Sequence, residues 1–257
     1  MKYVYPKLPA VSCNPFFRTG GNGLANCLFV YAKAVDLSLK SGMKLIAPTW
    51  FNLSIGTYLR RQQDKRHYCG IMSSKGEVSG LKRLAILMFS KKNISKVSGI
   101  YDFFKPLLAN QKQISDYIIN HVCDKHKSNL DSFDFSNCVA VHVRLGDFPE
   151  NRRVPMSWYI DKIKSVCQYD KVLLFSDGTD EELKELTSLP NVQRVYFGSA
   201  ISDILAISRC KYIYGSDSSF SAWGAYLGQV PCSFYNFQFG KVLVDDSKQI
   251  VENKEYK

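Results

Sequence analysis

The sequence predicts an α/β fold with a parallel sheet covered by helices, on three observations. The 257-residue chain is 46% hydrophobic, 13% aromatic and 22% charged, an ordinary globular composition that excludes disorder, collagen and coiled coil. From residue 137 onward, short apolar runs rich in β-branched and aromatic residues recur at 138–143, 171–175, 192–197, 211–214 and 231–235. Between them lie segments of helical period. In the first, Met156, Tyr159, Ile160, Ile163, Val166 and Cys167 share a face. Strands that alternate with helices make crossovers, and crossovers make a parallel sheet buried on both sides.

The first half is less regular. Residues 26–40 predict a helix that ends at Ser41-Gly42, followed by a strand at 43–47. Residues 50–80 have no clear period and many Arg, Lys, Tyr and Gly, the pattern of a surface loop or an acceptor-binding loop. A boundary is expected near 130–137, giving domains 1–136 and 137–257. The opening residues contain no apolar signal core, so a cytoplasmic location is expected. Six apolar residues at 84–89, flanked by Lys82, Arg83, Lys91 and Lys92, are too few to span a bilayer. They predict a buried helix with a solvated basic rim, with contact to a membrane surface as the alternative. The eight cysteines form no C-x-x-C and are expected to be reduced and mostly buried, and the sequons at Asn52 and Asn93 to be accidental. Four disulfides are the alternative for an exported chain. His67, His121 and His126 are expected at the surface.

The formal charge of +11 favours anionic partners: nucleotide phosphates, nucleic acid or an acidic membrane. Three strand ends carry the chemistry. After residues 138–143 come Arg144, Leu145, Gly146 and Asp147; alternation sends Val139, Val141 and Val143 to one face and Ala140, His142 and Arg144 to the other. Arg144 offers a rigid fork to a phosphate or carboxylate at the carboxyl edge of the sheet, where ligands bind, and Asp147 can brace it. An ion pair that merely closes the turn is the alternative. Asp177, at the end of the next strand, is a helix cap or a ligand. Ser218 and Ser219 precede a helix start able to hold a diphosphate, unless Ser218 is simply a cap. The glycine-rich turn at 20–23 only half matches G-x-G-x-x-G, so an NAD site is rejected. No D-x-D, P-loop or H-E-x-x-H is present, and no metal is expected.

Together these blocks resemble the family 11 glycosyltransferases, the α-1,2-fucosyltransferases. His142-Val143-Arg144-Leu145-Gly146-Asp147-Phe148 is similar to H-V-R-R-G-D-Y, and Phe175-Ser176-Asp177 to F-S-D. Residues 203–211 and 218–223 resemble the family's D-x-x-x-M-S-x-C-K and N-S-S-F-S-W-W blocks, and 23–32 resemble G-L-G-N-Q-M-F-Q-Y-A. Leu145, Cys27, Asp217 and Ala222 depart from the pattern. The resemblance implies a GT-B fold of two Rossmann-like domains, the N-terminal one irregular and acceptor-side, the C-terminal one binding the nucleotide sugar. It implies inverting, metal-independent transfer of fucose from GDP-fucose to a glycan or lipid-linked acceptor, at O2 of a terminal galactose, with no cofactor beyond the donor. Arg144 would bind the diphosphate and His142 lie beside the ribose. Asp177 would read guanine, Ser218, Ser219 and Phe220 flank the phosphates, and Asn26 bind the donor. Arg144 and Asp147 are the catalytic candidates; the base is assigned neither to Asp147 nor to Glu150. Peripheral contact with an anionic membrane is expected and nucleic acid is not. The alternatives are a transferase of the same fold for another nucleotide sugar, and a non-catalytic basic nucleic-acid-binding protein.

Overall fold

The computed structural model describes residues 2–59, 64–146, 149–166, 169 and 171–235, and the strand backbone at Leu243–Val244 and Ile250–Val251. The chain divides into two compact units, Met1–Asp124 and Lys125–Lys257. Residues 125–131 go with the second because Ser199 and Ser202, at the start of one of its helices, bond the side chain and carbonyl of His126.

Unit 1 contains β1 (Tyr3–Pro6), β2 (Ser12–Cys13), β3 (Arg18–Thr19), α1 (Leu24–Ser41), β4 (Lys44–Leu45), β5 (Asn52–Leu53), α2 (Ile55–Leu59), α3 (Gly80–Phe89), β6 (Ile94–Val97) and α4 (Gln111–His121). Its parallel sheet runs β4-β1-β6, and a smaller one runs β2-β3-β5. The central strand β1 has no counterpart in the sequence prediction. All four of its residues are buried, so it lacks the polar alternation that marks a half-exposed strand. Tyr3 and Tyr5 pack with Ile46, Val78 and Ile86 of α3. Val4 is fully buried, worth about 1.5–3 kcal/mol for such a side chain.

Helix α1 starts two residues before the predicted point and ends at Gly42, whose φ of 67° supplies the left-handed cap. Residues 50–80 are more than loop. Tyr68, Ile71, Met72 and Val78 are buried, and the segment is knitted by long-range bonds such as Asn52 N–H to the His67 carbonyl (2.8 Å). The side chain of Asn52 is itself buried and donates to the Arg66 carbonyl at 3.1 Å. His67, His121 and His126 are half-buried rather than surface residues, each holding a hydrogen bond.

Unit 2 begins with α5 (Ser128–Asp131). It continues β7 (Cys138–Val143), α6 (Met156–Lys164), β8 (Lys171–Ser176), α7 (Asp180–Thr187), β9 (Val192–Arg194), α8 (Ala200–Ile207), β10 (Tyr212–Gly215), α9 (Ser219–Gly228) and β11 (Cys232–Phe234). The five strands are all parallel, in the order β11-β10-β7-β8-β9. All five predicted runs are strands. The third stops at Arg194, three residues early, because the Phe197 amide is taken by Asp203 of α8 at 2.8 Å. Val139, Val141 and Val143 join Tyr159, Ile163, Leu183 and Leu186 of α6 and α7 in one core cluster, as alternation predicts. Among the described cysteines Cys27, Cys138, Cys210 and Cys232 are buried, Cys13 and Cys123 half-buried, Cys69 exposed, and all are free thiols. Cys167 lies outside the described residues.

Candidate active site in the second unit

Strands β7 and β10 are neighbours, yet the chain leaves them in opposite directions: β7 leads outward to β8 and β10 to β11. That reversal opens a crevice at the carboxyl ends of the two strands, the usual ligand position in open α/β sheets. Arg144 follows β7 there, and Ser216, Ser218 and the start of α9 follow β10.

Ser216 joins the two strand ends. Its N–H and its hydroxyl both donate to the His142 carbonyl at 2.9 Å, and its oxygen accepts the Arg144 N–H at 2.9 Å. Asp177, at the end of β8, accepts the N–H groups of Leu145 (2.8 Å) and Gly146 (3.1 Å) on Oδ1. Its Oδ2 lies 3.6 Å from Arg144 Nε. Gly146 is needed for this approach, since a Cβ there would lie 2.7 Å from Asp177 Oδ2. The chain passes this point without positive φ at that glycine. Asp177 is not the helix cap either. That task falls to Thr179, whose hydroxyl accepts the Glu182 amide while Glu182 returns a bond to the Thr179 amide.

A second tie crosses the same loops. Arg153 donates to the Leu145 carbonyl at 2.8 Å and pairs with Glu182 at 3.3 Å. Leu145, where the family pattern has arginine, is buried in the core cluster. Arg144 is therefore held through its backbone N–H by Ser216, while its Nε lies beside the Asp177 carboxylate at 3.6 Å and its side chain is 29% exposed. Its planar guanidinium offers a fork to a phosphate or carboxylate.

His142 points to the opposite face of the sheet from the core valines. It is buried, stacks on Phe220 at 5.1 Å between ring centres, and its Nδ1 lies 3.2 Å from Ser221 Oγ. Burial pushes its pKa down to about 4, with the Arg144 charge adding and Asp177 opposing, so the ring is neutral at pH 7. Ser218 caps α9 by accepting the Phe220 amide at 3.3 Å, and Ser219 is the first helical residue. No acidic side chain occupies the first turn of α9. Its amides and dipole favour an anion there. Ser218 thus serves as a cap and as part of the crevice.

The predicted residues Arg144, His142, Asp177, Ser218, Ser219 and Phe220 all stand at this switch point of unit 2. Asn26 stands in unit 1, in the first turn of α1. Asp147 lies outside the described residues. Sequence reasoning missed Ser216, Ser221 and Arg153 as supports. Ser216 lies just beyond the apolar run at 211–214 and follows a strand as Arg144 does, a signal that could have singled it out. Arg153 carried no such signal. Among the described residues no three His, Cys, Asp or Glu side chains are grouped to hold a metal ion.

Comparison with known proteins agrees with this architecture. The crystal structure of the NodZ α-1,6-fucosyltransferase soaked with GDP-fucose is similar at TM-score 0.53 and 14% identity, covering 93% of this chain and 96% of that one. The fucosyltransferase NodZ from Bradyrhizobium is similar at TM-score 0.50 and 13% identity, covering 90% and 93%. These likenesses are ones of fold, an α/β fold of GT-B type. A comparison with curated proteins gives no match. The model for glycosyl transferase family 11 matches residues 89–232, more than half of the chain and the stretch from β7 to the first residue of β11. With its H-x-R block, strand-end aspartate and serine-capped helix all inside that match, the chain belongs to glycosyl transferase family 11.

Proposed function

We propose that this family member is an inverting, metal-independent fucosyltransferase that takes fucose from GDP-fucose. Its acceptor is a hydroxyl of a glycan or lipid-linked oligosaccharide, O2 of a terminal galactose by the family resemblance. The observation that carries the reading is Arg144 at the β7/β10 switch point, its backbone N–H held by Ser216 and its Nε 3.6 Å from Asp177, where α9 also begins with no acid in its first turn. The donor choice is supported by the GDP-fucose in the NodZ crystal. NodZ forms an α-1,6 linkage, so the O2 position rests on the resemblance alone.

In this reading unit 2 binds the donor and unit 1 the acceptor, and Asn26 is carried as a donor-binding residue by the family resemblance. The acceptor oxygen attacks the anomeric carbon as the bond from that carbon to the β-phosphate oxygen breaks. GDP leaves with the electron pair, and the acceptor proton passes to a base. Arg144 and the amides of Ser219 and Phe220 stabilise the charge growing on the leaving diphosphate, a task in which removal of one donor costs about 10²–10³-fold in comparable sites. Neutral His142 borders the ribose. Asp177 works through Arg144 as a positioning residue and reads guanine beside it. Asp147 of the family block is the second catalytic candidate, and the base is assigned neither to it nor to Glu150. Peripheral contact of the protein with an anionic membrane completes the reading.

A panel of nucleotides tested by heat stabilisation and donor hydrolysis checks it. GDP and GDP-fucose should raise the melting temperature more than UDP or ADP sugars, by the mass-action term RT ln(1 + [L]/Kd). An equal response to UDP overturns the donor assignment and favours another nucleotide sugar.

A further inference from the structure

We infer that α3 and the turn at residues 14–17 form the face by which unit 1 docks on an anionic lipid bilayer. This deepens the membrane contact included in the reading above and rests on it. Helix α3 was expected to be buried with a basic rim, and only one of its sides is. Ile86 packs into the sheet core, while Leu81 is 85% exposed, Met88 56% and Phe89 83%. With exposed Ala85 these residues stand at i, i+4, i+7 and i+8, one continuous apolar stripe facing outward. Phe16, 69% exposed, extends it: Arg83 reaches from α3 to the Pro15 carbonyl at 2.6 Å and to Thr49 Oγ1 at 2.6 Å, which ties the turn to the helix.

Charge selects the occupant. No Asp or Glu occurs from Val78 to Tyr101, and Lys82, Lys91, Lys92 and Lys96 are exposed around the stripe. None of these four lysines pairs with a carboxylate among the described residues. An apolar stripe with an unopposed cationic rim matches the acyl boundary and headgroups of an anionic membrane, and it lies on the surface without crossing. Among the described residues no helix is long and apolar enough to cross a membrane.

The full chain should co-sediment with vesicles of phosphatidylcholine and phosphatidylglycerol, and far less with phosphatidylcholine alone. Phe89→Ser with Leu81→Ser should abolish this. Lys91→Gln with Lys92→Gln should weaken it about 25-fold, since each lysine near an anionic surface strengthens binding by about fivefold. Melting temperature, GDP stabilisation and hydrolysis of GDP-fucose should stay unchanged in both variants. No sedimentation of the wild-type chain, or sedimentation unaffected by both variants, overturns the proposal. A dimer in solution that Phe89→Ser dissolves also overturns it, by showing that a second copy covers the stripe. A normal GDP response without vesicle binding sinks the docking face alone; vesicle binding without a GDP response sinks the donor reading alone.

Discussion

The two units differ in where their charge and their chemistry lie. Residues 1–124 hold 18 Lys and Arg against 6 Asp and Glu, whereas residues 125–257 hold 16 against 17. The whole excess of positive charge therefore belongs to the unit with the smaller sheets and the exposed apolar stripe. The unit with the strand-end arginine is balanced. On the proposed reading the donor phosphates meet one cation at a switch point, whereas a surface excess acts at longer range on whatever anion approaches.

The largest expected effect tests unit 2. Arg144→Lys keeps the charge and loses the planar fork, so kcat/KM should fall by roughly 10²-fold or more while the melting temperature changes little. If Arg144 and Asp177 merely closed the loop, the variant would melt earlier and turn over normally. Measuring both on one preparation separates the two.

Acid titration should set the units against each other. The His142 pKa is lowered to about 4 from an ordinary value of 6.5, so the unfolded chain binds the proton more readily than the folded one. Its contribution is complete above pH 6.5 and is lost as pH falls toward 4, up to roughly 3 kcal/mol at 1.36 kcal/mol per unit. In unit 1, Glu77 accepts from the Tyr31 and Tyr117 hydroxyls, and burial raises its carboxyl pKa above the usual range. Glu77 therefore stabilises the fold in acid and loses that contribution as pH rises through its raised value. His142→Asn should flatten the loss between pH 6.5 and 4, and Glu77→Gln should raise stability at pH 7. An unchanged acid profile in His142→Asn would refute the first.

Ser216→Ala should cost about 1–3 kcal/mol, the usual penalty for a buried amide left without its acceptor, here that of Arg144. Donor affinity should fall with it, because the same hydroxyl ties the two strand ends. Chemical denaturation and GDP binding read the two effects, and a stability loss with full donor affinity would confine Ser216 to the fold. The smallest expected effect is that of EDTA, which should leave turnover unchanged since no D-x-D is present. Loss restored by Mn²⁺ would contradict it.

Legibility followed the same division. In unit 2 the strands alternate regularly with helices, so pattern alone located them. In unit 1 the sheet strands β1, β4 and β6, of four, two and four residues, are set among irregular segments with no such alternation. Their stability comes from packing between α1 and α3, which no local window contains. At the site, Arg144, Asp177 and Ser218 stood out because charged and hydroxyl residues ending apolar runs are unusual. The support given by Ser216 did not, since its partners in β7 and just after it are 74 and 72 residues away.

By itself the sequence determined what depends on neighbours within a few residues: the alternation that sends Val139, Val141 and Val143 one way and His142 the other, the capping box at Thr179, the end of α1 at Gly42. Tertiary structure alone determined which strand end faces which. The order β11-β10-β7-β8-β9 brings Ser216 to Arg144 from one side and Asp177 from the other. It turned Asp177 from a possible cap into the acceptor for two loop amides and the neighbour of a guanidinium. It also left one side of an apolar helix uncovered. Periodicity gives a helix its faces, and only the packing of distant segments fixes which of them meets a partner within the fold.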